Sequence, residues 1–151
     1  MNKTFKSLFM AIVLLSATAY AEVSIVSQSF QKSKKKKWIK TEKVVPGSVV
    51  MYRNTLANDG TQKAENLVVV NAVSKYMHYI KKSAKCKSKC AITYSIDGGK
   101  TFKKPKKLLL RDKKTKKIRK AMPSEYTTIK WVIKKLKGGK KTTVQYKARL
   151  I

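Results

Sequence analysis

The sequence predicts an all-β fold, an antiparallel β-sandwich of about seven strands. Three observations carry this. Residues 127–136 and 142–150 alternate apolar and polar side chains, as a sheet with one wet face requires. Turn-forming Pro, Gly, Asn and Asp residues punctuate the chain at intervals of roughly 8–12 residues. No run of twelve or more residues carries a 3.6-residue apolar stripe. With 151 residues there is room for one domain, and 42% hydrophobic residues can supply its core.

The elements follow in chain order. Lys3 and Lys6 precede an apolar run, Leu8 to Leu15, and then Ala19-Tyr20-Ala21. This is the three-part pattern of a secretory signal peptide cleaved after Ala21. Ala17-Thr18-Ala19 is a second cleavage motif two residues earlier. The apolar run is short of the ~20 residues that span a bilayer as a helix, which argues against a membrane anchor. Residues 1–21 are therefore expected to be a leader and 22–151 a single domain, periplasmic or secreted. Leader removal takes away Lys3 and Lys6 and no acid. No other run is apolar enough to span, so the mature chain is expected to have no transmembrane segment.

Val23 to Phe30 is rich in β-formers, and Trp38-Ile39 follows a lysine run. Pro46-Gly47 marks a turn before the strand Ser48 to Leu56. Asp59-Gly60 reads as a two-residue hairpin turn leading to Asn66 to Val73. Tyr76 to Ile80 is a further short strand. Ala91 to Ile96 places Ile92, Tyr94 and Ile96 on one face before Asp97-Gly98-Gly99 turns the chain. Lys107 to Arg111 is a short strand. In the last pair, Ile129, Trp131 and Ile133 share one face, Gly138-Gly139 turns, and Val144, Tyr146, Ala148 and Leu150 point inward.

Four blocks, in order, carry a resemblance. They are Val45-Pro46-Gly47-Ser48-Val49-Val50-Met51-Tyr52 through Asn58-Asp59-Gly60; Ala64-Glu65-Asn66-Leu67-Val68-Val69; Tyr94 to Phe102 (YSIDGGKTF); and Ala121 to Thr127 with Ile129-Lys130-Trp131. Over residues 44–150 the chain resembles the bacterial conserved repeat domain of unknown function, number eleven, especially its small single-domain exported members. The chain departs from that pattern at Asn71 to Ser74, where the family has a proline-containing turn, and in its lysine load. The resemblance implies an immunoglobulin-like sandwich and no particular activity.

Few residues suggest chemistry. Cys86 and Cys90 are spaced C-x3-C, and in an exported protein such a pair is expected to form a disulfide. Its loop of about five residues limits the gain to roughly 1–2 kcal/mol. The alternatives are a redox-active pair, or a thiol and metal site using Cys86, Cys90 and His78, which cationic neighbours oppose. His78 is the only imidazole, and no two of the seven acids are marked as a catalytic pair. Neither an enzyme nor a bound cofactor is expected.

Charge is the feature that a sandwich does not explain. Lys and Arg number 37 against 7 acids, for a net charge of +30, and 33 of the 37 are Lys. Bidentate phosphate and base-reading sites favour Arg, so a Lys surplus points to diffuse attraction to polyanions. The patch singled out is Lys34, Lys35, Lys36, Lys37, Lys113, Lys114, Lys116, Lys117 and Lys120. Trp38 lies among cations and is either core or part of a binding surface. The functional expectation is a non-catalytic, exported binding or structural module whose partner is a protein or other envelope component. The alternative is a sequence-blind binder of lipopolysaccharide, anionic lipid headgroups or nucleic acid. Simple solvation of the surface by lysine is the competing reading of the charge.

Overall fold

A computed structural model describes residues 11–14, 22–33 and 35–151. Among them the strands are β1 (Ala11–Leu14), β2 (Val23–Lys32), β3 (Trp38–Lys40), β4 (Val49–Asn58), β5 (Ala64–Ala72) and β6 (Met77–Tyr79). They continue as β7 (Lys85–Cys86), β8 (Cys90–Ser95), β9 (Leu109–Arg111), β10 (Ile118–Lys120), β11 (Thr128–Leu136) and β12 (Lys141–Leu150). Short 3-10 turns occupy Pro105–Lys107 and Pro123–Glu125, and the described residues contain no α-helix.

The chain is an all-β sandwich. One sheet has the order β1-β5-β11-β8, and the larger has β3-β2-β4-β12-β6, with β7 also on β12. Every pairing is antiparallel, and β9 with β10 makes a separate hairpin. Of the expected leader, residues 1–10 and 15–21 lie outside the described residues. The backbone of Ala11–Leu14 pairs with β5 from Ala11↔Asn71 to Leu14↔Val68.

Alternation places the core as expected. Ile129, Trp131 and Ile133 of β11 face Val144, Tyr146 and Ala148 of β12, and all six are buried. The rings of Trp131 and Tyr146 meet between the sheets with centroids 6.2 Å apart. Asn54 of β4 donates to Asn71 of β5 at 2.9 Å, a buried polar link across the same interface. Alternation breaks at Lys134 and Lys135, both exposed between buried Ile133 and Leu136. There the ladder passes in unchanged register from Ile133↔Leu67 to Lys135↔Glu65 without a Lys134–Asn66 pair, and Asn66 stands at φ 52°. Asparagine is among the few residues that tolerate this left-handed conformation.

Asp59-Gly60 does not close a two-residue hairpin. β4 and β5 lie in different sheets, so this connection arches from one layer to the other. Asn58 organises the arch: its amide donates to the Gln62 and Leu136 carbonyls at 2.7 and 3.0 Å. Gly138 is seated against the same arch, where a Cβ would meet the Thr61 and Gly60 carbonyl oxygens. The 97–99 turn forms as expected, with Gly98 and Gly99 at φ 75° and 90°.

Candidate functional site

Between the edge strands β6 and β8 the sandwich is covered by the excursion that carries both 3-10 turns and the β9-β10 hairpin. Alternation along β6 buries Tyr79 between exposed His78 and the half-buried Ile80, and Tyr94 projects inward from β8. Tyr126 follows the Pro123–Glu125 turn, which packs on β6. The three rings form one cluster, with centroids 5.4 Å (Tyr79–Tyr94), 5.5 Å (Tyr79–Tyr126) and 4.8 Å (Tyr94–Tyr126) apart. The Tyr79 and Tyr94 hydroxyls are 3.2 Å apart, and the Ala84 amide donates to the Tyr79 oxygen at 3.1 Å. Burial raises the Tyr94 and Tyr126 phenols above their ordinary range.

These rings floor a cavity of about 310 Å³, rimmed by Lys81, Lys82, Lys106 and Lys120. Ser83 anchors the first two lysines. Its hydroxyl donates to the Lys147 carbonyl at 3.1 Å and accepts from the Lys147 amide at 3.0 Å. Arg119 anchors the opposite rim through Glu125, and the Glu125 carboxylate also accepts from the Met122 amide at 2.7 Å.

The nine-lysine patch is not one surface. Lys34 lies outside the described residues. Lys35, Lys36 and Lys37 are exposed on the β2-β3 turn, at the β3 edge of the larger sheet. Lys113, Lys114, Lys116 and Lys117 are exposed at the tip of the β9-β10 hairpin, and Lys120 at its base lines the cavity beside β6. β3 and β6 are opposite edges of that sheet, four strand spacings or about 19 Å apart. Asp112 shapes the hairpin tip by accepting from the Lys114 and Thr115 amides at 2.9 and 2.8 Å. Those backbone bonds also hold its carboxyl below the usual range. Asp97 is likewise a turn acid: it accepts from the Ser95 and Thr101 hydroxyls, each at 2.6 Å. Among the described residues, Lys63 with Glu65 at 2.7 Å is the one lysine paired to a carboxylate within 4.0 Å.

Trp38 is half-buried, not core. Its ring has the Lys147 ammonium 5.1 Å and the Lys32 ammonium 5.8 Å from its centroid, in a cleft shared with Gln31, Ser48 and Val49. Cations therefore already occupy the aromatic surface.

Cys86 and Cys90 are free, half-buried thiols in the structure. Cys86 pairs with Val144 of the larger sheet and Cys90 with Ile133 of the smaller, so the two thiols bridge the layers. Burial first, then the neighbouring Cys86, pushes the Cys90 thiol up to about 12. A thiol held protonated is a weak nucleophile and a weak metal ligand. His78 is not near them. It pairs with Arg149, five residues along β12 from Val144, or about 17 Å. No group of three His, Cys, Asp or Glu side chains suited to a metal occurs among the described residues.

The sequence contains no signal for the tyrosine-floored cavity. Tyr79, Tyr94 and Tyr126 are separated by 14 and 31 intervening residues, and each reads singly as core. Compared with known proteins, the chain matches no family model, no curated protein and no solved structure.

Proposed function

We propose that this chain is an exported, non-catalytic module of the bacterial periplasm or envelope, with an immunoglobulin-like sandwich that holds polyanions without reading their sequence. The observation that supports this is the separation of charges. Among the described residues the lysines of these clusters form no ion pair with a carboxylate, so their field is open to an external polyanion. Lipopolysaccharide phosphates, anionic lipid headgroups and nucleic acid all present suitable charge. The test is binding of duplex DNA across a salt series. Each neutralised phosphate contributes about −0.9 to the slope of log K against log salt, so four to five engaged lysines give roughly −4. Slopes that do not depend on DNA sequence fit the proposal. Negligible binding at ~50 mM salt would reduce the lysines to surface solvation.

The cysteines complete the reading. We infer that Cys86 and Cys90 close a disulfide after export, giving two protons and two electrons to a disulfide-donating oxidant of that compartment, because they stand at the facing ends of the consecutive strands β7 and β8. Non-reducing mass spectrometry of periplasmic material should find the chain two hydrogens lighter and starting at Glu22. Two alkylatable thiols, or retained residues 1–21, would overturn the disulfide or the leader respectively.

A further inference from the structure

The cavity between β6 and β8 differs in kind from the lysine clusters. Its floor is largely apolar carbon: the Tyr79 and Tyr126 rings stack, Tyr94 is tilted against both, the Tyr79 and Tyr94 hydroxyls are engaged with each other, and the three buried tyrosines border the cavity beside Pro105, Ala121 and Pro123. An inorganic anion therefore meets apolar carbon at the floor and gains only from the rim. A neutral ring gains the floor and wastes the rim. A ring with an apolar face and an anionic substituent uses both. The volume, about 310 Å³, suits one or two sugar rings and is at the small end of ligand cavities.

We propose that this cavity binds an acidic saccharide unit, a pyranose carrying a phosphate or a carboxylate. Its C–H face lies on the tyrosines and its anion points to the lysines. The rim is built for this. Lys82 stands at φ 59°, a left-handed conformation that ordinarily favours glycine, and the Ser83 bonds to β12 hold the turn in place. On the far side, Pro105 opens the 3-10 turn that presents Lys106, and Lys120 ends β10. Lysines from three separate segments thus converge on one aromatic floor, which a merely solvated surface does not require.

The proposal goes beyond polyanion attraction, and the two can fail separately. The full chain is titrated at low salt with glucose 6-phosphate, glucuronate, glucose and inorganic phosphate, with binding read by calorimetry and tyrosine fluorescence. At least one of the two acidic sugars should saturate with Kd at or below about 1 mM, and glucose and phosphate should each bind at least about tenfold more weakly. Which acidic sugar binds tells phosphate from carboxylate. A Lys82→Gln, Lys120→Gln double variant should weaken the acidic sugar about tenfold or more, since two charge contacts are lost. Tyr126→Leu should do the same and Tyr126→Phe should restore binding, because the ring face and not the hydroxyl is used. A variant with Gln at 113, 114, 116 and 117 should lose DNA affinity and keep the sugar. No saturable binding up to about 10 mM overturns the proposal, as does phosphate binding as well as the acidic sugars or a double variant equal to the native chain.

Discussion

Arg119 places both terminal guanidinium nitrogens on the carboxylate of Glu125, at 2.8 and 2.6 Å, while its Nε lies 3.6 Å from Asp112. This fork ties the β9-β10 hairpin to the turn that carries Tyr126, so one ion pair holds two walls of the cavity. Bidentate pairing of this kind fixes geometry as well as charge.

The pair makes stability depend on acid. Arg119 first, and the Met122 amide after it, hold the Glu125 carboxyl down to about 2, against an ordinary value of 4.5. A depressed carboxyl stabilises the fold fully above its unfolded value and progressively less as pH falls from about 4.5 towards 2. Melting temperature measured from pH 6 to pH 2 should fall across this window, and Glu125→Gln should flatten the fall. An unchanged profile in that variant would assign acid sensitivity to other carboxylates.

Trp131 separates packing from hydrogen bonding. Its Nε1–H is buried without an acceptor among the described residues. Trp131→Phe therefore loses no hydrogen bond and should cost well under the Trp131→Ala variant, for which a cavity term predicts about 3–5 kcal/mol. Urea denaturation of both variants measures the difference. Equal costs would reveal a partner for the indole nitrogen.

Gly138 should resist substitution more than its neighbour. A Cβ at Gly138 would strike backbone carbonyls of the arch, which cannot swing aside. Gly139 has open space and only a φ of 67° to defend. Chemical denaturation should show Gly138→Ala losing about 1–3 kcal/mol, by overpacking. Gly139→Ala should lose about 1 kcal/mol, by backbone strain alone.

The two lysine clusters should act independently. Neutralising residues 35–37 should lower the salt slope for long duplex DNA by up to about 3, and neutralising 113, 114, 116 and 117 by up to about 4. Sites on separate elements with no shared partner are expected to add in free energy. Strong non-additivity in the combined variant would mean that a single polyanion path joins them over a route the sandwich geometry does not suggest.

The strand pattern was legible because side-chain direction in a strand is a local property with period two. Ile129, Trp131 and Ile133 must share a face whatever they pack against, and so must Val144, Tyr146 and Ala148. The turn at Asp97-Gly98-Gly99 was legible for the same reason, since left-handed glycines act within a few residues. Which sheet each strand joins is not local. Asp59-Gly60 has hairpin chemistry, yet the chain crosses between layers there, because burying Leu56 and Leu67 against one core outweighs pairing β4 with β5. Likewise the lysines were visible as runs along the chain, but only the fold puts Lys35–Lys37 on the β2-β3 turn at one edge of the larger sheet and residues 113–117 on a separate hairpin. The cavity lay furthest from sequence reading. Tyr79, Tyr94 and Tyr126 have no common period or motif, and they meet only where β6, β8 and a 3-10 turn converge. Long-range packing decides such a site, because each ring is placed by a different backbone segment and none constrains the others along the chain.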